Sequence, residues 1–433
     1  MDSFWYYLYN ALGVPLLHVG SFLGAFVNPK IRKGVQGRKG LFNDLEEKME
    51  TIPKRGFRFW IHCSSMGEFE QAKPLVDRLK ERFPGGSIIV SFFSPSVFEH
   101  VQEYKGADHL CYLPLDSRGR AKRFLSLIRP DMAIIIRHDL WPNHLWQLKK
   151  QEIPTVLINC TIHPQSYNRF PHLLQVNRFL FEPFDLLLTV SQEAKDFCEK
   201  YRIGGGNVVV VGDTRYDQVV RRAQEVEKIT VSLRNIKGKR KGLVAGSTWP
   251  ADEDVLLEAL DRLSREGISL WTVLVPHEPS EERTHQLEQK ISSSGHRCRR
   301  FSELESGNPV RSDDILIVDR MGILASLYGL GELTYVGGGF GVGIHNVLEP
   351  AAFGKVVLFG PRSKNSYEAG QLVKRGVGFV VKSGEDLYHI LSSLLEDSDR
   401  LAEMGKMAER LVQENVGATD RIVNHIDDLV RSQ

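Results

Sequence analysis

From residue 57 onward the chain alternates short apolar, β-branched runs with amphipathic stretches, and this pattern restricts the fold more than any other feature. Six runs come first: FRFWIHCS (57–64), SIIVSFF (87–93), MAIIIR (132–137), TVLINC (155–160), DLLLTV (185–190) and NVVVVG (207–212). Between them lie segments such as EFEQAKPLVDRLKERF (68–83), with apolar residues three and four apart, the spacing of a helix with one buried face. Strands that are apolar at nearly every position and divided by helices belong to a parallel sheet covered on both faces. Residues 215–241 interrupt the pattern. They are rich in charge, end in KGKRK, and read as a linker helix followed by an exposed turn. Six further runs follow: GLVAGS (242–247), WTVLVP (271–276), ILIVD (315–319), LTYVGG (333–338), VVLFGP (356–361) and GFVVK (378–382). The tail from Asp386 onward reads as helical. The expected architecture is α/β: two doubly wound domains joined near residue 225, facing a cleft at the carboxyl ends of their strands. The boundaries are 1–29 for an apolar segment, 30–225 for the first domain, and 226–433 for the second with its C-terminal helices.

Composition agrees with a globular chain. Of 433 residues, 42% are hydrophobic and 25% charged, which excludes disordered and fibrous classes. Fifty-six Lys and Arg balance 54 Asp and Glu, leaving a net charge of +2 and no expectation of a nucleic-acid partner. Five cysteines, none in CxxC spacing, argue against a zinc site or disulfide framework and point to a reducing compartment.

The N-terminus departs from this soluble character. Phe4 to Asn28 carry no formal charge, and as a helix at about 1.5 Å per residue they span enough to cross a hydrocarbon core of roughly 30 Å. Phe4, Trp5, Tyr6, Tyr7 and Tyr9 suit a membrane interface. Lys30, Arg32, Lys33, Arg38 and Lys39 follow before any acid, so the positive-inside rule places the rest of the chain in the cytoplasm. A secretory signal carries its positive charge ahead of the apolar run, whereas Asp2 precedes this one. Membrane attachment is expected, as a single span or as a segment lying in one leaflet.

Chemistry-bearing residues cluster after strand ends. VGGGFGVGIHNVLEPAAFG (336–354) holds five glycines in seven residues, then a helix expected to start near Asn346. Glycines let a backbone approach a ligand, and a helix N-terminus offers N–H groups to a phosphate, so Gly338, Gly339, His345 and Asn346 are candidate nucleotide contacts. Glu349, about one turn in, is placed to accept from ribose hydroxyls. The spacing matches neither the dinucleotide fingerprint nor a P-loop. GSTW (246–249) offers the hydroxyls of Ser247 and Thr248 to a phosphate or to a helix cap. PHEP (276–279) places His277 after another strand, and MGILASLYG (321–329) brings Met321 and Gly322 to a helix start. In the first domain WIHCSSMGE (60–68) leaves Glu68 in a first helical turn, and RHDLWPN (137–143) repeats that geometry with Asp139. Each acid is either a helix-start residue favoured by the dipole or a general base for an attacking hydroxyl. Asp252-Glu253-Asp254 has a DxD form but reads as an acidic helix start, and the 14 histidines show no metal spacing, so no metal is expected.

Together these residues resemble the Kdo transferases, which move 3-deoxy-D-manno-oct-2-ulosonic acid (Kdo) from its CMP-activated form onto the lipid A precursor. The resemblance runs through GRKG (37–40), Ser65 to Glu68, LWPN (140–143), VLIN (156–159), GSTW, PHEP, the MG segment and the glycine-rich motif. It implies a GT-B fold of two Rossmann-like domains and metal-free, inverting transfer. The implied partners are a CMP-sugar donor and a lipid A precursor, at the cytoplasmic side of the inner membrane. Glu68 falls on the family's catalytic base and Asp139 on the acid before LWPN, while Ser247, Thr248, Gly322, Asn346 and Glu349 fall on donor-site motifs. Three positions depart from the pattern. His277-Glu278 stands for a basic-His pair, Arg137-His138 for Glu-Thr, and Ile323 for a Glu; such a variant suits a modified lipid or ulosonic acid. Other readings are a different lipid-directed sugar-nucleotide transferase, a UDP-sugar epimerase-like enzyme, and a membrane-tethered nucleotide-binding module without turnover.

Overall fold

The computed structural model describes residues 3–432 except 53, 102–103, 138, 163–171, 225–227 and 306–314. The chain forms two compact units, Met1–Gln218 with Val416–Gln433, and Val219–Asn415. The first unit holds β1 (Arg58–Cys63), β2 (Ser87–Phe92), β3 (His109–Tyr112), β4 (Met132–Ile136), β5 (Thr155–Cys160), β6 (Leu186–Thr189) and β7 (Asn207–Val210). They form one 7-stranded sheet in the order β3-β2-β1-β4-β5-β6-β7, every neighbouring pair parallel. The second unit holds β8 (Gly242–Thr248), β9 (Trp271–Pro276), β10 (Cys298–Arg300), β11 (Ile315–Ile317), β12 (Leu333–Val336), β13 (Val356–Phe359) and β14 (Gly378–Val380). Its 7-stranded sheet runs β10-β11-β9-β8-β12-β13-β14, again all parallel.

Every apolar run expected to be a strand is one. The two strands not foreseen, β3 and β10, lie at sheet edges. With one neighbour each they need no continuous apolar run, and β10 carries two arginines in its three residues. In the first sheet Phe59, Ile61, Ile88, Val90, Ile134 and Ile136 fill a core on one face, while Trp60, Ile89, Ala133, Ile135 and Leu157 fill a second core on the other. That two-sided burial is why the runs carry no polar alternation.

The domain boundaries require correction. The division falls after Gln218, within the helix Thr214–Gln224, and the last helix, Ala418–Arg431, belongs to the first unit. Ile422, Val423 and Ile426 pack into the core with Phe59 and Ile61. The Asp217 carboxylate then supplies the cap that Gly417 lacks, accepting from Thr419 N at 2.7 Å and Thr419 Oγ1 at 2.6 Å. No local signal in the sequence announces a helix that returns across nearly 200 residues.

At the N-terminus, Ser3–Leu8, a π-helical turn Tyr9–Gly13, and Val14–Val27 run on as one helical segment. Phe4–Val27 is long and apolar enough to cross a membrane, with mean hydropathy 1.5 and none of that window buried. Its polar groups meet the first unit: Tyr9 OH donates to Asp116 at 2.9 Å, and His18 Nε2 lies 2.8 Å from Arg120.

Each sheet reverses its strand order once near its centre, between β1 and β4 in the first and between β8 and β12 in the second. Loops leaving the carboxyl ends of such a strand pair diverge and open a crevice, the usual ligand site of doubly wound sheets. The residues singled out from the sequence stand largely at these two places.

Candidate active-site residues in each unit

In the first unit, β1 ends at Cys63 and the helix Met66–Arg82 begins after Ser65. Glu68 lies in its first turn, as the sequence implied, and folds back to accept the Ser64 backbone N–H. Across the switch point, β4 ends at Ile136 and Asp139 precedes the helix Pro142–Lys150. The two carboxyls are tuned apart. Burial pushes Glu68 above the ordinary carboxylate value, with Asp139 adding to the rise while the Ser64 N–H, His62 and Arg137 oppose it. Burial also works against the Asp139 anion, but His62, then Trp141 and Ser64, outweigh it and hold Asp139 below its ordinary value. The two carboxyls at this switch point thus differ in proton affinity, in opposite directions from the ordinary value. Of the two, Glu68 holds a proton more readily than an ordinary carboxyl, and Asp139 less readily.

Asp139 is therefore an orienting group rather than a second free base. His62 Nε2 lies 2.9 Å from its Oδ2, and because a carboxylate only accepts, that nitrogen carries the proton. Trp60 Nε1 donates to Ser91 Oγ at 2.8 Å, and the Ser91 hydroxyl is 2.9 Å from His62 Nδ1. This buried chain of donors runs from Trp60 through Ser91 and His62 to Asp139. His62 and Ser91 were missed by sequence reasoning. The available signal was an imidazole in the middle of an otherwise apolar strand. The basic residue Arg38 of GRKG is structural: it donates to the carbonyls of Leu113, Gly34 and Phe93.

In the second unit Ser247, Thr248, His277, Gly338 and His345 are brought together where β8, β9 and β12 end. Thr248 is corrected: it is buried, and its hydroxyl donates to Glu253 Oε1 at 2.9 Å rather than facing a ligand. Ser247 adopts φ 53°, and among the described residues its hydroxyl has no hydrogen-bond partner. The glycines also need reinterpretation. A Cβ on Gly338 would stand 2.2 Å from Gly343 O, and one on Gly339 would stand 2.5 Å from Gly360 Cα. Their bareness lets loops of the protein close on one another, which no local sequence pattern separates from closeness to a ligand.

His277 stacks between Trp249 and His345, with ring centroids 5.1 and 4.3 Å away. Trp249 Nε1 donates to His345 Nε2 at 3.1 Å, and burial, then His277, lowers His345 to about 4. Beneath them Asp252 binds the loops together. It accepts from Trp249 N at 2.9 Å, Gly338 N at 2.8 Å and Tyr335 OH at 2.9 Å. With Glu253 engaged by Thr248 and Arg283, and Asp254 paired with Lys290, the DxD carboxylates serve the protein itself.

The helix of the glycine-rich motif begins at Leu348 rather than near Asn346, whose Oδ1 accepts Leu348 N at 3.1 Å. Glu349 lies in its first turn, 3.3 Å from Arg222 NH1, a partner the sequence did not suggest. Met321 is 54% exposed, and Gly322 takes φ 91° in the loop after β11, one strand further from the switch point. Among the departures, Arg137 adopts φ 61°, Ile323 is buried, and His138 lies outside the described residues.

Residues 35–218 match the family model described as 3-deoxy-D-manno-octulosonic-acid transferase (kdotransferase). The 3-deoxy-D-manno-octulosonic acid transferase of Haemophilus influenzae is 26% identical over 428 residues, covering 97% of each chain. The chain is thus similar to Kdo transferases over nearly its whole length. A bifunctional glycosyltransferase/methyltransferase of Fusobacterium nucleatum is 25% identical over 88% of this chain, which spans 58% of that protein's length. Among solved structures, UDP-GlcNAc 2-epimerase from Neisseria meningitidis superposes with TM-score 0.60 at 13% identity, over 86% of this chain and 100% of that one. This likeness concerns the fold alone, which is of GT-B type.

Proposed function

We propose that this protein transfers Kdo from CMP-Kdo onto a lipid A precursor, with inversion and without a metal. The observation that carries the reading is the pair of carboxyls at the first switch point, with Glu68 raised and Asp139 held charged by His62. An acceptor hydroxyl attacks the anomeric carbon while Glu68 takes its proton. The bond from that carbon to the phosphate oxygen breaks, and its electron pair leaves with CMP. Charge growing on the phosphate falls to the second unit, where the Ser247 hydroxyl, His277 and the backbone of the glycine-rich loop are the available donors. Glu349, braced by Arg222, accepts from the ribose. The apolar segment Phe4–Val27 tethers the enzyme at the cytoplasmic face of the inner membrane, raising the effective concentration of a lipid acceptor.

Incubating the full chain in detergent with CMP-Kdo and lipid A precursor, and weighing the lipid, tests this directly. The product gains the mass of one or more Kdo units. Transfer from a UDP-sugar but not from CMP-Kdo would instead support the alternative transferase reading, and epimerisation of a UDP-sugar with the lipid unchanged would support the epimerase-like one.

A further inference from the structure

We propose that Arg137 binds an oxyanion, a carboxylate or phosphate carried by the sugar substrate that reaches Glu68. The inference rests on the glycosyl-transfer reading above and adds a specificity determinant to it. Arg137 follows β4 directly, and its N–H donates to Ile158 O at 3.0 Å, so the sheet fixes its Cα. The backbone there is left-handed, a conformation that side chains of this kind adopt rarely and that persists where surrounding structure imposes it.

The side chain is the telling part. Its Nε is buried without a hydrogen-bond partner, and among the described residues the guanidinium makes neither a hydrogen bond nor an ion pair. Other inward-facing arginines of this unit have every guanidinium nitrogen engaged by the protein. Arg38 donates to three carbonyls, and Arg58 to Ser87 Oγ and the carbonyls of Ile128 and Ile52. A desolvated N–H left without an acceptor is costly, and a planar guanidinium offers a fork that matches a carboxylate or phosphate. Arg137 follows β4, and Glu68 follows the neighbouring β1, on the two sides of the switch point. Two sources supply such an anion in the proposed reaction: the carboxylate of the transferred sugar acid, and a phosphate on the acceptor.

The experiment compares the wild-type full chain with Arg137→Gln and Arg137→Lys. It measures KM for CMP-Kdo, KM for phosphorylated and dephosphorylated lipid A precursor, the pH profile of kcat, and melting temperature. The expected result is a KM rise of about tenfold or more in Arg137→Gln for the substrate bearing the anion, partly restored in Arg137→Lys. A rise confined to phosphorylated acceptor identifies the phosphate, and a rise for CMP-Kdo identifies the carboxylate. Unchanged KM for both substrates overturns the proposal. So does a shift of the pH profile alone, which makes Arg137 a counter-charge to Glu68. If the wild type transfers no Kdo, the transfer reading has failed separately. Arg137 is then tested by phenylglyoxal labelling, where inorganic phosphate protects it if the assignment holds and labelling unaffected by phosphate overturns it.

Discussion

His62 Nε2 stands 2.9 Å from Asp139 Oδ2, joining the ends of two neighbouring strands at the point where the first sheet reverses its order. The contact has a chemical consequence for a residue that is part of neither side chain. By holding Asp139 charged, His62 lets that carboxylate add to the rise that burial gives Glu68.

Glu68→Gln keeps size and the ability to accept the Ser64 N–H but takes no proton. The turnover rate should fall by about 10²–10⁴-fold, the usual contribution of general base catalysis. CMP affinity, measured by calorimetry, should hardly move. Near-wild-type turnover would demote Glu68 to a helix-start residue and transfer the base role to Asp139.

The pH response follows from the same carboxyl. Glu68 acts ionised, so the acid limb of kcat should lie above the ordinary value of 4.5. Folding carries the linked effect. A carboxyl raised in the folded state contributes stability that is fully present below pH 4.5 and lost as pH rises through the raised value. Glu68→Gln escapes that loss, so it should melt no lower than wild type at neutral pH, with any advantage shrinking toward pH 4. A mutant markedly less stable at pH 7 contradicts the burial argument.

Ser247 and Thr248 should separate cleanly despite being adjacent hydroxyls. Thr248→Val breaks the bond to buried Glu253, costing about 1–3 kcal/mol of stability, while leaving CMP affinity in place. Ser247→Ala should do the reverse. Equal losses of CMP affinity in both variants would refute the assignment.

Glu349→Ala should weaken CMP binding by roughly 1–3 kcal/mol, by unpairing ribose hydroxyls. Because Arg222 loses a partner too, melting temperature must be measured alongside. Unchanged CMP affinity in a folded variant would remove Glu349 from the donor site.

Transfer should persist in EDTA. Asp252 spends its oxygens on Trp249 N, Gly338 N and Tyr335 OH, so the DxD segment is a clamp between loops. Activity lost in EDTA and restored by magnesium would show the opposite.

The strand runs, the helical spacing between them, the long apolar N-terminus, and the strand-end positions of Glu68, Asp139, Ser247 and His277 were all legible in the amino-acid sequence. Those features are local. They depend on two-sided burial of a strand, on the reach of one helical turn, or on residues a few positions apart. What the tertiary structure decided involves partners far apart along the chain. Ser91 and His62 combine to hold Asp139, Glu253 consumes the Thr248 hydroxyl, Arg222 braces Glu349, and Asp217 caps a helix whose apolar face completes the first core. A hydroxyl or carboxylate has the same local sequence whether it faces a ligand or a buried neighbour. Only packing, by removing water and supplying a distant donor, chooses between them.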